Sequence, residues 1–204
     1  MDRSPSGIAR SIQLAREGKR EALDDLIDAH RNYLRLLAAS CLYREMRAKA
    51  DPSDVVQETL LKVHRNFGQF RGTTESEWMA WLRTILVRDL ADLQKGFRRL
   101  RRRVTRERSL EGVVDRSSAM LRDMIPAPDP SPSVEAQRRE AAALVADALA
   151  ELEPEDSEVV VLRSLHELDW NAIAERTGRS PGAARMLWAR AMQRVGGLLK
   201  GRMS

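Results

Sequence analysis

The chain has little of what a metal centre or an active site usually requires. Cys41 is the only cysteine among 204 residues, so an intramolecular disulfide is excluded. The histidines His30, His64 and His166 lie far apart, and no Cys or His pair has the spacing of a zinc site. Neither a glycine-rich phosphate loop nor an HExxH-like helix is present. We therefore expect no metal, no cofactor and no enzymatic activity.

Long hydrophobic runs are also absent. No apolar stretch approaches the roughly 18 residues that span a bilayer, and the opening sequence MDRSPSGIAR has no apolar signal-peptide core. We therefore expect a cytoplasmic protein with no membrane insertion.

Positive charge is plentiful but unevenly placed. A hydrophobic content of 43% and a charged content of 32% are ordinary for a soluble globular protein, and the formal net charge is +5. One short segment concentrates basic side chains, namely Lys95, Arg98, Arg99, Arg101, Arg102, Arg103, Arg106 and Arg108. This local positive field indicates nucleic acid, an anionic membrane surface or an acidic partner. On DNA it would neutralise phosphates without reading the sequence.

Residues 51–67, DPSDVVQETLLKVHRNF, separate apolar from polar positions more cleanly than any other stretch. Asp51 is a good N-cap, and Pro52 suits the first helical position, where its missing N–H is harmless. Helical spacing forms an apolar face from Val56, Leu60, Val63 and Phe67. It forms a polar face from Asp54, Gln57, Glu58 and Lys62. Spacing alone leaves two interpretations of the polar face, a solvated surface or a docking surface.

The rest of the first half is also predicted to be helical. Apolar spacing indicates helices over residues 7–16 and 21–42. Thr74 and Glu77 have the Thr-x-x-Glu spacing of a capping box, which would begin a long helix. Trp78 and Trp81 near its start are either core residues or an aromatic edge for bases extruded into the preceding loop.

Residues 109–133 separate the two halves. Proline occupies the alternate positions 126, 128, 130 and 132, which prevents helix and favours an extended chain. We therefore predict a flexible linker, and composition does not distinguish a passive tether from a functional one.

The second half is predicted to contain a helix-turn-helix. In LDWNAIAERTGRSPGAARMLWARAMQRV, Asp169 caps a first helix, Gly178 supplies a positive-φ turn and Ser180-Pro181 starts a second helix. Such a pair usually places its second helix in a major groove, but it also occurs as a plain packing unit. Helical spacing predicts that the packing face of the second helix consists of Ala184, Trp188, Ala191 and Val195.

Together, DPSDVVQETLLKVHRNFGQFRG and LEPEDSEVVVLRSLHELDWNAIAERTGRSPGAARMLWARAMQRV resemble a bacterial RNA polymerase sigma factor of the sigma-70 family, extracytoplasmic-function type. The resemblance covers nearly the whole chain. It implies an all-α fold with a region 2-like domain (residues 7–108), the linker (109–133) and a region 4-like domain (134–200). The implied function is to bind RNA polymerase core and direct promoter-specific transcription initiation at minus-10 and minus-35 elements.

The resemblance also assigns roles to individual residues. The residues implied to bind the clamp helices of the largest polymerase subunit are Asp54, Gln57 and Glu58. Those implied to contact the minus-10 element or DNA phosphates are Gln69, Phe70, Arg71, Thr73, Thr74, Arg88, Lys95, Arg98, Arg99, Arg102 and Arg103. Those implied to contact the minus-35 element are Arg179, Ser180, Gly182, Arg185, Met186, Ala189 and Arg190. The implied partners are RNA polymerase core, through its clamp and flap region, promoter DNA and an anti-sigma protein.

Some positions depart from the family pattern. Arg88 stands where Asn is frequent, and Met186 and Leu187 stand where Ser and Arg are frequent, so no promoter sequence is implied. Two other functions stay open. One is a sigma-like decoy that binds an anti-sigma protein, and the other is a stand-alone helix-turn-helix regulator, which would leave the first domain without a role.

Overall fold

The computed structural model describes residues 5–42, 51–100, 110–124 and 132–203, with side chains described outside 5–6, 96–100, 132–140 and 202–203. Regular structure in these residues is entirely helical, which confirms the expected all-α fold. The chain divides into two compact units, residues 1–115 and 116–204.

Between residues 5 and 100, the described part of the first unit contains four helices and a short 3-10 turn. They are α1 (Pro5–Arg16), α2 (Arg20–Cys41), α3 (Pro52–Asn66), the turn Phe67–Gln69 and α4 (Glu75–Leu100). Helix α2 packs against α1, α3 and α4, and α3 also packs against α4. Gly18, with φ of 86°, makes the left-handed turn that ends α1.

Helix α3 begins and packs as its sequence predicts. The Asp51 carboxylate accepts a hydrogen bond from the Ser53 N–H at 2.7 Å, and Pro52 occupies the first turn. All four residues of the predicted apolar face are buried. The placement of Lys62 on the free polar face is wrong, because its side chain is half-buried and hydrogen-bonded to Asp89 of α4.

The extended linker predicted for residues 109–133 is wrong over much of its length. Residues Leu110–Asp123 form helix α5, in which Val114 and Leu121 are completely buried. Leu110, Val114, Ser117 and Leu121 recur at helical spacing, and this stripe outweighs the polar composition of the segment. The division between the two units falls within α5, and residues 125–131, with three of the four prolines, lie outside the described residues.

The second unit contains the predicted helix-turn-helix. Its elements are α6 (Pro132–Ala150), α7 (Pro154–Val160), a π-helical turn (Val161–Leu165), α8 (Trp170–Thr177) and α9 (Pro181–Met203), with α9 packed on α6, α7 and α8. The Asp169 carboxylate caps α8 by accepting hydrogen bonds from the N–H groups of residues 171 and 172, both at 2.9 Å. Gly178 has φ of 64°, as the turn requires.

The packing face of α9 differs from the prediction at one position. Ala184, Ala191 and Val195 are buried as expected, but the large buried side chain between them is Leu187. Trp188 is only half-buried and packs edge-on against Trp170, with ring centroids 5.9 Å apart. Because positions 187 and 188 are only about 100° apart around a helix, the apolar spacing is compatible with either residue on the packing face.

Candidate nucleic-acid and protein interfaces

The exposed face of α3 is acidic and amide-bearing, with one apolar side chain. Asp54, Gln57 and Glu58 are all exposed, as the polar-face prediction requires. Leu61 lies one turn further along and is 45% exposed, which makes it one of two exposed large hydrophobic residues among those described. Sequence reasoning missed Leu61, although its spacing of three residues from Glu58 was a usable signal. We call these four residues the α3 face.

The opposite side of α3 is fixed to α4 by a polar network. The buried Asp89 carboxylate accepts hydrogen bonds from the Thr59 hydroxyl at 2.7 Å and from the Lys62 ammonium at 2.5 Å. The hydrogen bond to Asp89 raises the pKa of Lys62. Lys62 also lies 3.8 Å from Glu58, so the network ends beside the α3 face. These contacts fix the orientation of α3 about its own axis, and with it the direction of the α3 face.

The loop between α3 and α4 is closed by the predicted capping box. One Glu77 carboxylate oxygen, Oε2, accepts hydrogen bonds from the Thr73 and Thr74 N–H groups at 2.8 and 3.0 Å and from the Thr74 hydroxyl at 2.9 Å. The Glu77 N–H in turn donates to the Thr74 hydroxyl oxygen at 3.3 Å. These bonds, the one from Thr73 N–H first, lower the pKa of Glu77.

The loop contains one candidate residue whose side chain is buried. Phe70 is 4% exposed, and its ring packs 5.3 Å from Trp78 and 5.2 Å from Trp81. The Phe70 ring is therefore buried in the aromatic cluster, and contact of this residue with the minus-10 element stays a prediction. The half-buried Trp81 is the edge of the cluster nearer to solvent, and the other loop candidates, Gln69, Arg71, Thr73 and Thr74, are exposed.

Helix α4 carries part of the predicted basic segment. Arg88 and Lys95 are exposed, and Lys95 lies 3.2 Å from Asp92. The candidates Arg98 and Arg99 lie in α4, but their side chains are outside the described ones, as are residues 102 and 103 altogether.

The second helix of the helix-turn-helix presents a mixed basic and apolar face. Arg185 lies over the Trp170 ring, with its guanidinium carbon 5.7 Å from the ring centroid. Met186 is 68% exposed. The Ser180 hydroxyl accepts a hydrogen bond from the Ala183 N–H at 3.2 Å. Gly182, Ala189 and Arg190 are also exposed.

One helix-turn-helix candidate is already engaged within the protein. The Arg179 guanidinium forms an ion pair and hydrogen bond with the Glu155 carboxylate at the start of α7. Both groups are solvent-accessible, so the pair contributes little to stability and can open to a phosphate.

His30 and Cys41 lie in largely buried surroundings. His30 is buried, with Nδ1 2.9 Å from the Leu26 carbonyl and Nε2 3.2 Å from Glu75. Burial raises the pKa of the Cys41 thiol to about 11. Within the described residues, no three His, Cys, Asp or Glu side chains are grouped to hold a metal, and no helix has the length and apolarity to cross a membrane.

Comparison with known proteins accounts for both units. The family model of Sigma-70 region 2 matches residues 26–103, and that of Sigma-70, region 4 matches residues 142–195. RNA polymerase sigma factor CarQ of Myxococcus xanthus is 31% identical over 185 residues, covering 90% of this chain and 92% of that protein. ECF RNA polymerase sigma factor BldN of Streptomyces coelicolor is 29% identical over 199 residues, covering 97% of this chain and 68% of that protein.

The helical fold and the family matches thus define a transcription factor with a helix-turn-helix in its second unit. The chain belongs to the sigma-70 family of RNA polymerase sigma factors, and its relatives place it in the extracytoplasmic-function type. A promoter-directing role follows from that membership, and sigma factors are known as non-enzymatic initiation factors.

Proposed function

We propose that this sigma factor binds RNA polymerase core through the α3 face, Asp54, Gln57, Glu58 and Leu61. The observation that carries the proposal is that this face is exposed while the back of the same helix is fixed by the Thr59, Lys62 and Asp89 network. A preorganised face loses little conformational entropy on docking. The partner surface would be basic and partly apolar, and by the family resemblance it would lie on the clamp helices of the largest subunit.

The test compares two charge-matched sets of substitutions. Replacing Asp54, Gln57 and Glu58 with Ala removes two carboxylates from the α3 face, and replacing Glu21 and Asp25 with Ala removes two from the exposed surface of α2. Exposed substitutions usually change stability by less than about 0.5 kcal/mol each, so both variants should melt like the parent. Affinity for polymerase core should fall only in the α3 variant. Equal core affinities of the two variants would refute the docking assignment.

We also propose that the loop of residues 69–74, with the half-buried Trp81, accommodates an unpaired base of the minus-10 element. The exposed Gln69, Arg71, Thr73 and Thr74 supply donors and acceptors, and stacking on an aromatic ring contributes about 1–3 kcal/mol per base. The nearby Arg88 and Lys95, with the basic residues 98–103, would neutralise phosphates of the same DNA. Opening about ten base pairs costs on the order of 10 kcal/mol, so melting requires the polymerase as a partner.

The helix-turn-helix would read the minus-35 element from the major groove. Arg185 is held over Trp170, which orients its fork for guanine or phosphate, and Arg190 is exposed nearby. Met186 offers an apolar surface that fits the methyl group of thymine. Ser180, Gly182 and Ala189 would approach the backbone or base edges from the same helix.

Further proposals concern partners and location. We propose that the second unit also contacts the flap region of the polymerase and that the protein acts in the cytoplasm, where promoter DNA lies.

An anti-sigma protein that covers the α3 face would inhibit by competing with core. Such a protein should release polymerase core from the parent chain in a competition assay, and it should bind the triple Ala variant of α3 weakly.

A further inference from the structure

Arg16, at the end of α1, is bound to the loop between α3 and α4. Its Nη2 group donates a hydrogen bond to the Gly72 carbonyl at 2.5 Å and a longer one to the Phe70 carbonyl at 3.4 Å. Its guanidinium carbon also lies 5.7 Å from the centroid of the Phe70 ring. A single side chain thus contacts two carbonyls and one aromatic ring of the loop.

The two carbonyls flank the exposed residue Arg71. The loop is fixed at its beginning by the Phe70 N–H, which donates to the Phe67 carbonyl at 2.9 Å, and at its end by Glu77. Arg16 fixes the segment between these two points from another helix. The peptide unit before Arg71 and the one after Gly72 are therefore held before any ligand arrives.

The close packing around Gly72 supports the same interpretation. A Cβ atom at this position would lie 2.6 Å from the Glu77 Cβ and 2.7 Å from the Phe70 ring. The loop backbone at Gly72 therefore packs directly against Glu77 and Phe70, with no room for a side chain between them. A small displacement of residues 70–72 would move the exposed side chains of the loop relative to Trp81.

We propose that Arg16 is a positioning residue for minus-10 recognition, which holds the loop in the conformation that receives an unpaired base. Arginine suits this task because one Nη2 group, with its two N–H donors, reaches both carbonyls while the guanidinium carbon lies within cation–π distance of the Phe70 ring. Lysine offers a point charge and does not reproduce that geometry. The inference rests on the proposed role of the loop in binding a minus-10 base.

The alternative for an exposed arginine near DNA is a direct phosphate contact. The two roles predict opposite results for the Arg16→Lys variant. A phosphate contact survives in the lysine variant, because the charge is kept, whereas the positioning role is lost with the guanidinium contacts to the two carbonyls and the Phe70 ring. Salt dependence gives a second distinction, because each phosphate contact contributes about 0.9 to the slope on duplex DNA and about 0.7 on single strands.

The experiment uses the full chain reconstituted with RNA polymerase core on a promoter library randomised in the minus-10 and minus-35 regions. Variants are Arg16→Lys, Arg16→Ala and Gly72→Ala, with Arg10→Lys, at an exposed position of the same helix, as the matched control. The readouts are base preferences in each region, affinity for core and the slope of log affinity against log salt. Thermal melting of each free chain checks folding.

The expected result is a regional loss of preference. Arg16→Lys and Gly72→Ala should each reduce the preference for the best minus-10 base roughly tenfold, the scale of one hydrogen bond from a charged donor. Minus-35 preference, core affinity and the salt slope should stay at parental values in Arg16→Lys, and Arg10→Lys should match the parent throughout.

Three results would contradict the proposal in different ways. If Arg16→Lys keeps the parental minus-10 preference while Arg16→Ala flattens the salt slope, Arg16 is a phosphate contact. If minus-10 and minus-35 preferences fall together with melting temperature, its role is general stability. If the parent itself shows no minus-10 preference, the proposed function of the loop fails, and the inference about Arg16 fails with it.

Discussion

Asp89→Ala tests whether the buried polar network fixes α3 on α4. Removing the carboxylate leaves the Thr59 hydroxyl without its acceptor at a completely buried position, at a cost of about 1–3 kcal/mol. Lys62 is 37% exposed and can turn to water, so the loss of its ion pair adds only about 0.5–1 kcal/mol. We expect the free energy of unfolding of the first unit to fall by roughly 1.5–4 kcal/mol.

The assay is urea unfolding of the full chain carrying Trp170→Phe and Trp188→Phe, so that fluorescence reports only Trp78 and Trp81 of the first unit. Thr59→Val, a substitution of similar shape, completes a double-mutant cycle with Asp89→Ala. The effects of the two single changes should be strongly non-additive, with a coupling energy of about 0.5–3 kcal/mol, because each change removes the hydrogen-bond partner of the other residue. Additive effects, or an Asp89→Ala variant within about 0.5 kcal/mol of its background, would refute the proposed role of the network.

The same network has a predicted pH dependence. Hydrogen bonding to Asp89 raises the pKa of Lys62 in the folded state, so its stabilising effect is fully present below the ordinary lysine pKa. The effect is lost as the pH rises through the raised folded-state value. Unfolding measured across the alkaline range should show this loss in the parent and not in Asp89→Ala.

Two further predictions concern neighbouring residues of α9. Met186→Ala should remove the sensitivity of DNA binding to the thymine methyl group in the minus-35 element. Replacing the contacted thymine by uracil should weaken binding of the parent by about 0.8 kcal/mol and should not change binding of the variant. If the parent is insensitive to this replacement at every thymine, the contact is excluded. Leu187→Ala should destabilise the second unit by about 2–5 kcal/mol, because Leu187 is only 6% exposed. Met186→Ala should stay within about 0.5 kcal/mol of the parent, because Met186 is 68% exposed. Equal melting temperatures of the two variants would contradict the assigned packing face.

Features governed by local chemistry were predictable from the sequence. The cap at Asp51, the capping box of Thr74 and Glu77, and the turn at Gly178 depend on residues within a few positions of one another. The family models of Sigma-70 region 2 and of Sigma-70, region 4 match the parts of the chain that contain these elements. Candidate contacts at individual residues stay predictions, because exposure alone does not identify a partner.

The errors share a different physical origin. The side-chain direction of Lys62 is set by Asp89 of α4, 27 positions further along the chain, and the Phe70 ring is buried against Trp78 and Trp81 of the same helix. In residues 109–133, the prolines at positions 126–132 suggested an extended linker, while the spacing of Val114 and Leu121 in α5 indicated a buried stripe. Arg16 reaches the loop across 56 positions of sequence, so no local pattern could indicate its contact.

The complete burial of Ala184 and Ala191 has a consequence for how promoter sequence preference can change. Alanine at both positions keeps the axis of α9 close to the helices beneath it. A bulkier side chain at either position would lift the whole helix outward, and the major groove into which it is proposed to insert is only about 8.5 Å deep. Insertion depth, and with it the set of readable base edges, would then shift without any change in a residue that touches DNA.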